Sequence, residues 1–173
     1  TPDGRLLASA AEDGRVYLWQ AEEGKRLQNF KAGRLRVDSL AFTADGSTLF
    51  AATAEGVHAW NLPGGKPVSV AGSVALRRPI AVSRAGPFMA ALNDDDELVV
   101  WDLELRRTVR TLTPSSTPTD VAFSRNGDAL AAAHDDGHIT IWEVQTGNIT
   151  HRLVGHDRRV LTVCFSPHGK LLA

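Results

Sequence analysis

The chain has 173 residues, 19 Lys and Arg against 20 Asp and Glu for a net charge of −1, and a single cysteine. Near-neutrality supplies no global field to draw in nucleic acid or an anionic membrane, and one thiol cannot build an internal disulfide framework, which fits a reducing, cytoplasmic setting. No apolar run approaches the ~18 residues of a membrane span and no signal peptide is visible, so the expected partner is neither nucleic acid nor membrane.

Taken in order, residues 5–10 form a short apolar run, Glu12-Asp13-Gly14 is turn chemistry, and residues 15–20 alternate with Val16 and Leu18 on one face. That pattern predicts two strands joined by a tight turn, and residues 25–30 predict a third. The segment 37–42 (V-D-S-L-A-F) reads as an inward-looking strand leading into the turn Ala44-Asp45-Gly46, and the runs near 37–42, 47–53, 57–61 and 66–71 make the first complete set of four. The same order then recurs. Tryptophans 19, 60, 101 and 142 are spaced 41 residues apart with no other tryptophan in the chain, and Gly4, Gly46, Gly86, Gly127 and Gly169 keep nearly the same beat. A period of this length means one supersecondary unit laid down repeatedly. Stretches with a helical period are missing, so the fold is expected to be almost purely β.

The copies are not identical. Five residues past each tryptophan stand Gly24, Gly65, Arg106 and Gly147, a turn that wants a positive φ and that Arg106 must satisfy differently. The third copy replaces its turn glycine by Asn93-Asp94-Asp95-Asp96. Thr113-Pro-Ser-Ser-Thr-Pro118 is the most linker-like segment, yet the tryptophan beat runs through it and it is read as a loop. Cys164 lies in an apolar first strand and is expected to be inert core.

Gly155-His156, then Val160-x-x-Val163-x-Phe165-Ser-Pro-His-Gly169-x-Leu171-Leu172-Ala173, continued by analogy with Leu7-Ala-Ser9-x-x-x-Asp13-Gly14-x-Val16-x-Leu18-Trp19, resembles the WD40 repeat. The resemblance implies an all-β fold, a β-propeller of about four blades of four antiparallel strands, open as an arc of a seven-bladed ring. The implied division is a partial blade at 1–31, blades at about 32–71, 72–112 and 113–153, and a partial blade at 154–173. Since the chain opens and closes in mid-copy, further blades and other domains are expected in a longer protein. In the family, a His, an Asp, a Ser or Thr and the Trp share one hydrogen-bond network. Ser9, Asp13 and Trp19 align with three of these, whereas Trp60, Trp101 and Trp142 have alanine at the serine place (Ala51, Ala91, Ala132), with Asp95 and Asp136 keeping the acid in the later copies. At about 1 kcal/mol per net hydrogen bond, against an upper figure of about 4–6 kcal/mol for burying a tryptophan, packing between blades should hold the array.

Strand parity puts the loop into each first strand and the turn between the second and third strands at one end. That end would carry Arg34, Arg36, Arg77, Arg78, His156, Arg158 and Arg159, interleaved with Glu12, Asp13, Glu55, Asp94, Asp95, Asp96, His134, Asp135 and Asp136. Arginine forks suit carboxylates or phosphates on a partner. The alternative is that they pair with the neighbouring acids in solvent. His134-Asp-Asp-Gly-His138 has metal-ligand residue types but reads as a turn, and so does Asp94-Asp95-Asp96-Glu97, which lacks the spacing of a calcium loop. The aligned inner-strand positions Ser39, Pro79, Asp120, Thr162 and Asp38, Arg78, Thr119, Leu161 make no ring of ligands, and no catalytic constellation, metal site or cofactor site is assigned. The reading is a non-catalytic scaffold that binds a protein or peptide through its rim loops as part of a larger signalling or assembly protein. The alternative is a lactonase-like propeller hydrolase with its site completed by other blades.

Overall fold

The computed structural model describes residues 1–68 and 76–173. Every element among them is a strand. β1 (Leu6–Ala10), β2 (Arg15–Gln20) and β3 (Lys25–Lys31) form a three-stranded sheet. The second sheet holds β4 (Val37–Phe42), β5 (Thr48–Thr53), β6 (Gly56–Asn61) and β7 (Lys66–Val68). The third holds β8 (Arg77–Val82), β9 (Phe88–Leu92), β10 (Leu98–Asp102) and β11 (Arg107–Leu112). The fourth holds β12 (Pro118–Phe123), β13 (Ala129–His134), β14 (His138–Glu143) and β15 (Ile149–Val154). Each sheet is an antiparallel meander in chain order, as alternating apolar runs with turn residues between them require. The expected strand over 66–71 is seen at 66–68, and its last three residues lie outside the described ones.

The turns that lead into β1, β5 and β13 repeat one device, which the turn into β9 lacks. Asp45 Oδ1 accepts the Ser47 amide N–H at 3.0 Å and the Thr43 hydroxyl at 2.6 Å, while Gly46 takes φ +72°. A short acceptor side chain closes the turn, and the glycine supplies the left-handed residue. The tighter turn after the third strand departs from expectation. Arg106 has no glycine to help it and yet adopts φ +53°, the conformation it was expected to avoid, and Asp96 does the same at φ +61° where the third copy lacks its turn glycine. In both places side-chain acceptors hold the backbone: Asp102 Oδ1 takes the amides of Glu104 and Leu105, and Asn93 Oδ1 those of Asp95 and Glu97.

The sheets pack face to face, and every tryptophan from the second sheet onward is spent on the sheet before it. Trp60 closes a cluster with Val16, Leu18 and Phe30, its ring stacked on Phe30 at 5.0 Å. Trp101 packs with Phe50, Ala52 and Ala59, and Trp142 with Leu92, Leu98, Val100 and Leu112. Between the rings run alanines on both faces of β5, β9 and β13, fully buried, which let neighbouring sheets approach closely. The first strands β4, β8 and β12 lie side by side and line a central cavity of about 850 Å3.

Residues 160–165 continue the first-strand pattern but form no full ladder. They are tied to 171–173 by the Phe165–Leu172 bridge and by reciprocal Cys164–Ala173 backbone hydrogen bonds of 2.8 and 3.0 Å. Cys164 is exposed, contrary to its expected place in the core. Alternation explains it: Val163 turns into the packed face, so Cys164 turns to the central cavity, the position that Ala41, Ala81 and Ala122 take in the other first strands.

Candidate functional site

The expected parity of loops is visible in atomic contacts. The turn of one sheet nests under the loop that leads into the next, with Ala32 N–H donating to Gly14 O at 2.9 Å and Val160 N–H to His134 O at 3.0 Å, and within the fourth sheet the turn meets the sheet's own entry loop, Asp135 N–H donating to Thr117 O at 3.1 Å. A Cβ on Gly137 would lie 2.5 Å from the His156 carbonyl oxygen, so only glycine fits that seam. One end of the arc is therefore a continuous rim of interlocked loops.

Three of the seven rim cations named from the sequence come together. Arg77, Arg78 and Arg159, with Thr117 and Asp135, line one groove of about 400 Å3. Arg77 Nη2 meets Asp96 Oδ1 at 2.6 Å, both partners exposed enough to be screened by solvent. Arg78 Nε lies 3.3 Å from Asp38 Oδ2, and Arg36 Nη2 lies 2.6 Å from Asp38 Oδ1. The Asp38 side chain is only 8% exposed, so this carboxylate sits between two guanidiniums from neighbouring sheets and ties them. Arg34, His156, Arg158 and Arg159 are exposed and make no ion pair among the described residues. Arg34, Arg36, His156 and Arg158 do not line the groove.

The acids at this rim are largely turn builders. Asp13 Oδ1 accepts the Arg15 amide at 3.0 Å. Asp136 Oδ1 accepts the His138 amide at 3.1 Å, and its carboxyl, facing the Ser116 hydroxyl, is held down to about 2 by that hydroxyl and the amide. Asp95 is exposed, its amide donating to Asn93. Of the aligned network, the pair Trp19 Nε1–H to Ser9 Oγ is made at 2.8 Å.

His134, grouped with the rim acids in the sequence, is instead fully buried at the end of β13. One ring nitrogen faces the Ser116 carbonyl oxygen at 3.0 Å, which accepts only, so Nδ1 carries the proton and Nε2 accepts from the Thr140 hydroxyl at 3.1 Å. Burial lowers its pKa below the ordinary imidazole value, outweighing the Ser116 carbonyl and the Asp135 and Asp136 charges. Thr53 and Asn93 occupy the equivalent place and are buried too. A polar residue recurring at 53, 93 and 134 was the available signal. Asp120 was also overlooked as a fastener: its Oδ2 accepts the Thr162 hydroxyl at 2.7 Å and the Val163 amide at 3.0 Å, sewing β12 to the next segment. Among the described residues, no three His, Cys, Asp or Glu side chains converge as a metal site.

Stacked meanders about a central cavity, with tryptophans locking each sheet to the previous one, define an arc of a β-propeller. The profile described as "WD domain, G-beta repeat" matches residues 1–20, and that of the "Anaphase-promoting complex subunit 4 WD40 domain" matches residues 83–165. The chain belongs to the WD40-repeat family. It is similar to small ribosomal subunit protein RACK1 of Brassica napus, 42% identical over 62 residues that make up 36% of this chain and 19% of the relative. RACK1z of Oryza sativa subsp. japonica is 42% identical over 62 residues and 18% of its length, and RACK1 of Glycine max 40% identical over 62 residues. The matched stretch thus spans about a fifth of each of these relatives.

Proposed function

We propose that this chain is part of a cytoplasmic, non-catalytic interaction scaffold, and that its rim receives a protein or peptide partner bearing carboxylates or phosphates. The observation that carries the reading is the groove between Arg77, Arg78 and Arg159, where side chains from the junction into the third sheet and from the one after the fourth face one concavity across Thr117 of the junction between them. Arg159 brings an unneutralised guanidinium, and Arg77 holds its acid in a solvent-exposed pair that a partner's anion can replace at little cost. The likeness to WD40 proteins, and to relatives named as ribosomal subunit proteins, supports an assembly role. The remaining rim residues Arg34, Arg36, His156 and Arg158 widen the footprint, with further blades and domains of a longer protein supplying its context.

The test is affinity capture with the protein and with Arg78→Ala/Arg159→Ala, monitored by circular dichroism for retained folding. Loss of specific partners from the double variant supports the reading. An unchanged set of captured proteins refutes it.

A further inference from the structure

The net charge that argued against nucleic acid is an average, and the structure separates what it averages. The outermost strand of each sheet, β3, β7, β11 and β15, carries cations and no carboxylate. Lys25, Arg26 and Lys31 stand on β3, Lys66 on β7, Arg107 and Arg110 on β11, and Arg152 on β15, all exposed. The arginine–acid pairs among the described residues lie in the loops, on first strands and at the start of β2, where arginines 5, 15, 36, 77 and 78 have acids beside them. None of the outer-strand cations has such a partner. The acids nearest in sequence, Glu22, Glu23 and Glu104, sit in the turns before β3 and β11 and form no ion pair with them.

We propose that this outer belt, distinct from the rim groove, is a docking surface for the phosphodiester backbone of a nucleic-acid duplex. Positive charge repeated on successive blades without internal neutralisation is the electrostatic footprint of a polyanion, and guanidinium forks match phosphate oxygens. Edge protection against strand-to-strand aggregation needs charge of either sign, whereas here one sign alone is used. A single-stranded ligand is disfavoured because its affinity leans on base stacking, and no Phe, Tyr or Trp among the described residues is exposed. Contact is therefore to the backbone, without reading of sequence.

The experiment measures binding of the protein to a 20-base-pair RNA duplex and to the matching DNA duplex between 50 and 200 mM salt. Four phosphates neutralised together give a log–log salt slope of about −3.6, or about 150-fold weaker binding over that fourfold rise. A belt variant, Lys25→Gln/Lys31→Gln/Lys66→Gln/Arg107→Gln, loses most of that slope and at least about tenfold in affinity at 50 mM salt. A control removing the same charge elsewhere, Arg5→Gln/Arg84→Gln/Arg125→Gln/Lys170→Gln, stays within about threefold of the parent. Binding of either duplex with this contrast supports the proposal. No duplex binding at 50 mM salt, equal losses in both variants, or binding confined to anionic vesicles or poly-glutamate overturns it. The rim variant Arg78→Ala/Arg159→Ala leaves duplex binding intact, which keeps the two proposals separable.

Discussion

The first and fourth sheets hold the same strand hairpin by different means. In the first, Trp19 is half-buried and its indole N–H is hydrogen-bonded to Ser9. In the fourth, Ala132 stands at the serine place, Trp142 is 1% exposed, and the polar fastening has moved to the hairpin's end, where buried His134 ties Ser116 to Thr140. What the repeat preserves is the ring in its slot against the preceding sheet. The hydrogen bonds around it are exchangeable, since each contributes only about 1 kcal/mol net while the buried ring contributes several.

Removing the rings should separate the two sheets most widely. Trp142→Ala empties a site enclosed by Leu98, Val100, Leu112 and Leu130 and is expected to cost about 3–5 kcal/mol, against clearly less for Trp19→Ala, as read by urea unfolding. Equal costs would mean that burial in the slot is not what the repeat preserves. Next comes His134→Ala, at about 2–3 kcal/mol, because it leaves a cavity and strips the buried Ser116 carbonyl and Thr140 hydroxyl of a partner. His134 also gives the fourth sheet a pH signature. Its folded pKa lies below its unfolded value of ~6.5, so the unfolded chain binds a proton that the folded one refuses. The stability it contributes is present above pH ~6.5 and falls as the pH drops below it. Urea midpoints at pH 7.5 and 5.5 should converge in His134→Gln relative to the parent, and an unchanged difference would remove His134 from the account.

The architecture was legible because its determinants are local. A tryptophan every 41 residues, turn acids followed by glycine, and alternating apolar runs each report through near neighbours in sequence. What escaped depends on register between sheets. That Asp38 would lie between Arg36 and Arg78, or that Asp120 would reach Thr162, follows only once adjacent first strands are aligned across a gap of some forty residues. His134 was misplaced for a related reason: beside Asp135 and Asp136 it looks like part of a polar turn, yet it is the last residue of its strand and points inward. Arg106 and Asp96 show the converse, a turn demand strong enough to impose a left-handed backbone on residues that rarely adopt it.

Two smaller substitutions sharpen the contrast between seam and surface. Gly137→Ala must both hold φ +91° and push against the His156 carbonyl 2.5 Å away, and should cost about 2 kcal/mol. Gly24→Ala also has a positive φ, +62°, but meets open space, so about 1 kcal/mol is expected from the backbone alone. A smaller cost at Gly137 than at Gly24 in thermal melts would show that the loops are not interlocked as described.

The smallest effect is the most diagnostic. Ser9→Ala converts the first sheet to the alanine found at the same place in the other three, Ala51, Ala91 and Ala132. It removes one hydrogen bond, and the indole N–H of a half-buried Trp19 remains within reach of water. The expected cost is about 1 kcal/mol, with an unchanged urea m-value. Because the later sheets already live without that bond, the variant should fold as cooperatively as the parent. A cost of about 3 kcal/mol or a broadened transition would instead make the polar pair the fastening element of the first sheet, and the exchangeability of hydrogen bonds along the repeat would then hold only where a buried ring or a residue such as His134 replaces it.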